Sequence, residues 1–424
     1  MELRYRINQL LFCLVFVFTI ALNSCDKPQK DEFGDLILDK GGVLMWYNQP
    51  SGIHYKGISD KTYLTWIDNK RNIKICEYDE LAKKFLNLKL IKKWSFPDDH
   101  GLPVLHILKH GKNKGHILLL LNLHNSPLSI TKSVKPESID EFTTEKIIDS
   151  GEVSYPSIVE SSNGSLLLFY KKNVLNTNTK RTRNLFFRLS KDFGESWTEE
   201  KELINFGENT WVYSLPIKVL SDSIHIAYSI KEAKSDKVVN IYYMYSPDFG
   251  KSWFYTGGKK HDKSTDKSDP IFATEDKYQT RAWDLNTTSG FTPRISFVNF
   301  NEFEGTNYVT ILDTSYARWK TINVGKAKND YYPSGISFDT RNPNYVICSE
   351  SILNSKLRLI EKCFNKEDST FITSRIISKN TNLNQIRPQI IQDYKSIRTM
   401  WVESIKYKNF QDFNSNLKLE LINR

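Results

Sequence analysis

The side chains of this 424-residue chain that could move protons or hold anions recur at matching places. One set stands where a series of strand-like segments starts: His54, Tyr55, His100, Tyr155, Tyr213, Trp283, Asp284, Tyr331, Tyr332 and Arg387. A second set stands where the following segments end: Asp68, His124, Lys171, Glu350 and Glu403. Imidazole titrates near neutrality, and phenols and ammonium groups donate hydrogen bonds. A ring of such groups is more than core filling, although Tyr before Pro is also a plain way to start a strand. His106, His110, His116 and His225 fall in strands or nearby loops and are read as structural or solvent-facing. His261 lies in a polar loop and is given no role. There is no CxxC and no HExxH, so no metal site and no required cofactor are expected; a structural metal ion is left open.

These positions are set by a repeat. A strand of one register recurs as TYLTWID (62–68), HILLLLN (116–122), SLLLFYK (165–171), SIHIAYS (223–229), PRISFVN (293–299), NYVICSE (344–350) and IRTMWVE (397–403). Each copy is preceded and followed by another strand-like run, and turn clusters such as Ser162-Asn163-Gly164 separate them. Seven units of three or four strands predict an all-β, seven-bladed β-propeller over residues 41–424. The last unit has no room for a fourth strand, so VLMWYNQ (43–49) is expected to complete it and close the ring. The polar stretch 261–269 reads as a loop leading into the fifth unit. If first strands start at the axis on one face, second strands end there, and the two residue sets share one rim.

Two turns supply the ruler for this register. Ser190-x-Asp192-x-Gly194-x-x-Trp197 recurs 56 residues later as Ser246, Asp248, Gly250 and Trp253. Ser and Asp oxygens accept from turn N–H groups, Gly takes positive φ, and Trp packs over the turn. The pattern resembles the Asp box, or BNR repeat, of sialidase-type propellers. Lying after third strands, both boxes belong on the face away from the rim, where they brace turns and do no chemistry.

Residues 1–24 read as a lipoprotein signal peptide, with Arg4 and Arg6 before an apolar core of about 14 residues, too short for a membrane span. Leu22-Asn23-Ser24-Cys25 resembles a bacterial lipobox, which implies lipidation of Cys25 and residues 25–40 as a tether. The protein is thus expected outside the cytoplasm, on the outer membrane or cell surface or in the periplasm. Cys76, Cys348 and Cys363 are no disulfide framework; the last two flank a predicted hairpin, and free thiols are expected. The net charge of +10 comes from scattered lysines without a basic stripe or a nucleic-acid motif. An anionic partner outside the cell, such as an acidic polysaccharide or oligosaccharide, fits better than nucleic acid. A monomer is expected.

A further resemblance is carried by Asp98-Asp99-His100-Gly101, Asn122-Leu123-His124-Asn125-Ser126-Pro127, Ser154-Tyr155-Pro156, the first Asp box and Tyr213. Together they look like the BNR-repeat branch that contains seven-bladed polysaccharide lyases, notably ulvan lyases, and enzymes acting at rhamnose–uronate linkages. The resemblance implies β-elimination at a uronate, with His100 and Tyr155 catalytic and His124 and Tyr213 lining the site. It also exposes a departure. Where those lyases usually place an Arg against the uronate carboxylate, this chain has Lys171, which supplies charge without a bidentate fork. Arg181 or Arg183 is expected to substitute. Two alternatives stand beside the lyase. One is a rhamnosidase- or glucuronidase-type hydrolase using carboxylates such as Asp68, Glu350 or Glu403, or a His in their place; a sialidase fits less well, because no arginine triad is evident. The other is a glycan-binding propeller without catalysis.

Overall fold

The computed structural model describes residues 28–175, 181–288, 292–330, 332–352 and 356–422. The expected leader and Cys25, and Tyr331, lie outside them. The chain is all-β, a succession of antiparallel meanders. The second strands are the best buried. Ile117–Leu121 is buried throughout, and Asp60–Asp68 at every position but Lys61. Strands packed on both faces read as continuous apolar runs, which is why this register was so visible in sequence. Outer strands face water; Thr370–Ile376 buries only Phe371. Side chains close the turns between strands. Asn163 Oδ1 accepts from Ser161 Oγ at 2.7 Å and from Ser165 N at 3.0 Å, while Gly164 takes φ 83°.

The inner strands are Gly52–Lys56, Val104–Ile107, Lys146–Glu160, Thr210–Leu220, Gln279–Asn286, Ile336–Phe338 and Asn384–Ile390, and each packs against the next. A parallel bridge between Ile53 and Gln392 brings the last beside the first. Four of these strands carry a bulge at the same level: between Ser154 and Ser157, Ser214 and Ile217, Ala282 and Asp284, and Ile386 and Gln389. A bulge re-aims a side chain. Tyr155 and Arg387, each before a proline and each with φ 55°, are buried at two of them. The left-handed region costs a residue with a Cβ roughly 1–2 kcal/mol, so packing must hold these two in place.

The N-terminal segment departs from expectation. The strand that completes the last meander is Leu36–Lys40, pairing Leu36 with Leu419 and Lys40 with Asn416. The fold therefore includes residues expected to be tether. Residues 44–49 form no outer strand. Leu44, Met45, Trp46 and Tyr47 are at most 2% exposed, and Trp46 stacks on Trp283 of an inner strand at 4.4 Å. An outer strand needs one wettable face. Leu36–Lys40 has it, ending in an exposed Lys40, whereas LMWY does not.

The Asp boxes follow Arg181–Ser190 and Lys237–Ser246. In the first, Ser190 Oγ donates to Asp192 Oδ1 at 2.8 Å and accepts from Gly194 N at 2.9 Å, and Asp192 accepts from Ser196 N at 2.9 Å. The second repeats these bonds at 2.9, 2.7 and 2.8 Å. Cys76, Cys348 and Cys363 are free, Cys348 facing Ile360 and Cys363 facing Tyr345 across the sheet. Among the described residues no helix is long and apolar enough to cross a membrane.

Candidate active site

The residues of the two sets that carry the resemblance come together. Tyr155 stacks on Tyr47 at 4.4 Å and lies 5.8 Å from both His124 and Tyr213, ring centre to ring centre. Strand pairing sets Ser154 opposite Lys171, beside Tyr155. Lys171 Nζ then sits 4.1 Å from the centre of the Tyr155 ring and 4.5 Å from that of Tyr213. The Lys171 side chain is 1% exposed, and its ammonium nitrogen has no hydrogen-bond partner. Burial without an acceptor pushes its pKa well below the ordinary lysine value, and Arg183, Lys231 and Arg281 push it further.

His100 and His124 stack face to face, centroids 4.5 Å apart and planes 8° apart, yet their charge states differ. His100 sits in a 3₁₀ turn capped by Asp98, whose Oδ1 accepts from His100 N. Its Nδ1 is hydrogen-bonded to Asp98 Oδ1 at 2.9 Å and ion-paired with Asp99 Oδ1 at 2.8 Å. Burial opposes the charge, but the two carboxylates outweigh it and raise the His100 pKa to about 9. His124 follows the strand Ile117–Leu121, in a turn where Ser126 Oγ accepts from Leu123 N at 2.7 Å. Burial, then the positive His100 and the nearby Lys171 and Arg183 groups, hold His124 far below the usual imidazole range. Its Nε2 is buried and has no partner. One imidazolium thus lies against one neutral imidazole.

A supporting layer fixes this pair. Asp99, fully buried, accepts through Oδ2 from Arg387 Nη1 at 3.2 Å and from the Tyr407 hydroxyl. Arg387 Nη1 also donates to the Leu44 carbonyl at 3.0 Å, linking the segment 44–49 to the site. On the other side Arg281 donates to the Tyr47 hydroxyl at 3.0 Å. Burial nevertheless pushes the Tyr47 phenol up to about 12. Burial, then the phenols of Tyr213 and Tyr47, raise Tyr155 well above 10, against the pull of Arg281 and Arg183. Arg183 and Lys231 cover Trp211 at 4.3 and 4.8 Å. The site is therefore a set of protonated phenols in a cationic surround, shaped to receive an anion. Asp98, His100 and His124 also bring three ligating atoms within 4.8 Å of one another, the one such group among the described residues.

Other members of the two sets lie elsewhere. His54 bonds to Asp60 at 2.8 Å and to the Asp393 carbonyl at 2.9 Å. Asp284 pairs with Lys218 at 3.5 Å and lines a 260 Å³ cavity with His106 and Glu160, at the far ends of the inner strands. Trp46 lines that cavity too, while its neighbour Tyr47 stacks on Tyr155, so the two residues divide one region from the other. Asp68, Glu350 and Glu403 are each held by a lysine: Lys74 at 2.9 Å, Lys362 at 2.7 Å and Lys418 at 3.2 Å. Three participants had not been singled out. Tyr47 was assigned to an outer strand. Arg281 was passed over for Trp283 and Asp284, because the bulge that changes the inward residue is invisible in sequence. Phe410 lies in the last hairpin, edge-on to His100 at 5.3 Å and to His124 at 6.1 Å.

The chain belongs to the BNR repeat-containing family, which it matches over residues 61–341. Among solved structures it is similar to a PL25 ulvan lyase bound to -[GlcA(1-4)Rha3S]-, with a TM-score of 0.73, 14% identity, and coverage of 91% of this chain and 95% of that one. It is also similar to the polysaccharide lyase Uly1, with a TM-score of 0.59, 12% identity, and coverage of 89% and 91%. At these identities the likeness is one of fold. No curated protein matches the chain.

Proposed function

We propose that the protein is a seven-bladed propeller lyase that cleaves a uronate-containing polysaccharide, of the rhamnose–uronate kind, by β-elimination. The observation that carries this reading is the contact of a charged His100, a neutral His124, a protonated Tyr155 and an unpartnered Lys171. Elimination needs the carboxylate neutralised, the C5 proton accepted and the leaving oxygen protonated. The arriving carboxylate brings Lys171 the anion it lacks, which restores its proton. His100 and the Arg183 and Arg281 guanidinium groups add to the positive field. The same carboxylate offsets the positive groups that depress His124, and the neutral His124 ring accepts the C5 proton. The electron pair forms C4=C5, the C4–O bond breaks, and the Tyr155 hydroxyl gives its proton to the departing oxygen. Each positioned acid or base is worth about 10²–10⁴ in rate.

The hydrolase reading has less support. In its two-carboxylate form it needs a pair facing one sugar, but Asp98 and Asp99 turn inward onto His100, and Asp68, Glu350 and Glu403 are lysine-bound. The glycan-binding reading keeps one supporting observation, Lys171 in place of the arginine expected there. In the same proposal the Cys25 lipid anchors the protein, as a monomer, to the outer membrane. The test is incubation of purified protein with a panel of rhamnose-rich uronans while the absorbance of unsaturated uronate is followed. Absorbance should rise on at least one polymer; no rise on any, with binding retained, would favour the binding module.

A further inference from the structure

The hairpin formed by Ile397–Asn409 and Asp412–Leu421 differs from its counterparts in the other meanders. Its first strand runs on past Glu403, the position equivalent to Lys171, to Asn409, whereas the strand that carries Lys171 ends at Leu175. Two irregularities in register, between Ser404 and Lys406 and between Tyr407 and Asn409, bend this overhang. Its tip is tied down over the histidines. The Phe410 carbonyl accepts from Asp99 N at 2.9 Å, and the Tyr407 hydroxyl bonds Asp99 and Arg387. The Phe410 ring stands perpendicular, at 89° and 87°, to the stacked His100 and His124. Beneath the ring His100 is 5% exposed, Tyr155 4% and Lys171 1%, while His124 is half-buried.

A polymer cut in mid-chain must lie across groups that are open on both sides. Here the histidine side is closed by a half-buried aromatic ring on a hairpin that is hydrogen-bonded into the catalytic layer. We infer that the protein is exolytic: Phe410 and its hairpin close the site at one end, so that only a chain end of the acidic polysaccharide reaches Tyr155 and Lys171. This rests on the lyase reading and concerns where that reaction falls on the chain. Each turnover still breaks one C4–O bond and forms one C4=C5 bond, with the C5 proton passing to the protein and the Tyr155 proton to the leaving oxygen.

The experiment follows double bonds by ultraviolet absorbance and polymer mass by size-exclusion chromatography in one wild-type digest. The inference expects short products from the first turnovers, while the mass of the remaining polymer falls slowly per double bond. In Phe410→Ala, or with residues 405–412 replaced by a short turn, the fall in mass per double bond should steepen several-fold. A steep early fall with wild-type protein would overturn the inference and leave the lyase reading standing. No unsaturated product from any polymer would overturn the lyase reading, and this inference with it.

Discussion

Both ends of the strand Leu166–Leu175 and its partner Arg181–Ser190 are built from polar and aromatic side chains, but their ionisable groups are treated in opposite ways. At the Asp box every key oxygen has a donor: Ser190 Oγ, Ser196 N and Ser196 Oγ surround Asp192. Burial would raise its pKa, yet the Ser196 bonds outweigh this and hold the carboxyl at about 2. At the other end Lys171 Nζ and His124 Nε2 are buried with no partner. Satisfied polar clusters hold a turn; unsatisfied ones are a standing cost that a ligand can relieve. On the proposed reading, the same residue types hold structure at one end and serve the reaction at the other.

Four predictions would break or sharpen that contrast. The largest effect is expected of Tyr155→Phe. It keeps the ring stacked on Tyr47 but removes the proton donor, so kcat/KM should fall about 10²–10⁴-fold while the thermal midpoint stays where it was. Next comes Lys171→Met. Activity should fall about 100-fold, yet stability should rise by about 1 kcal/mol or more, because an unpaired buried amine is replaced by an apolar chain. Denaturant titration beside kinetics would show the opposite signs; a loss of both would class Lys171 with the structural residues.

The third prediction concerns pH. The folded pKa of His100, about 9, lies above its ordinary value of 6.5. Its charge therefore contributes stability that is whole below pH 6.5 and is lost as pH rises through about 9, on the order of 3 kcal/mol in total. Asp99→Asn should shrink that window and move the alkaline limb of kcat/KM to lower pH, readable in paired stability and rate profiles. The smallest functional effect is expected at the Asp box. Asp192→Ala should cost about 1–2 kcal/mol of stability and leave kcat/KM unchanged, which urea melts and initial rates would separate.

The sequence showed the strands better than the site. The second strands were legible because burial on both faces makes them apolar throughout, and the Asp boxes because their bonds are local. His100, His124, Tyr155, Lys171 and Tyr213 were legible as neighbours because a repeat places equivalent positions at one level. Tyr47 was not, since the segment 44–49 follows no strand period and is defined only by what it plugs. Arg387 was legible as a rim position but not as the partner of Asp99, 288 residues away. Nor was the different charge state of the two histidines legible, because it depends on which carboxylate oxygens face which ring. The curl of Phe410 over them depends on bulges that leave no mark in composition.

The central claim is that this arrangement eliminates and does not hydrolyse. The most direct measurement is the mass of the cleaved chains made by wild-type protein from a uronate-containing polymer. Elimination predicts fragments that together weigh the same as the parent, one of each pair carrying an ultraviolet-absorbing C4=C5 bond, and formed far more slowly by Tyr155→Phe. Fragments heavier by one water per cut, with no double bond, would contradict it.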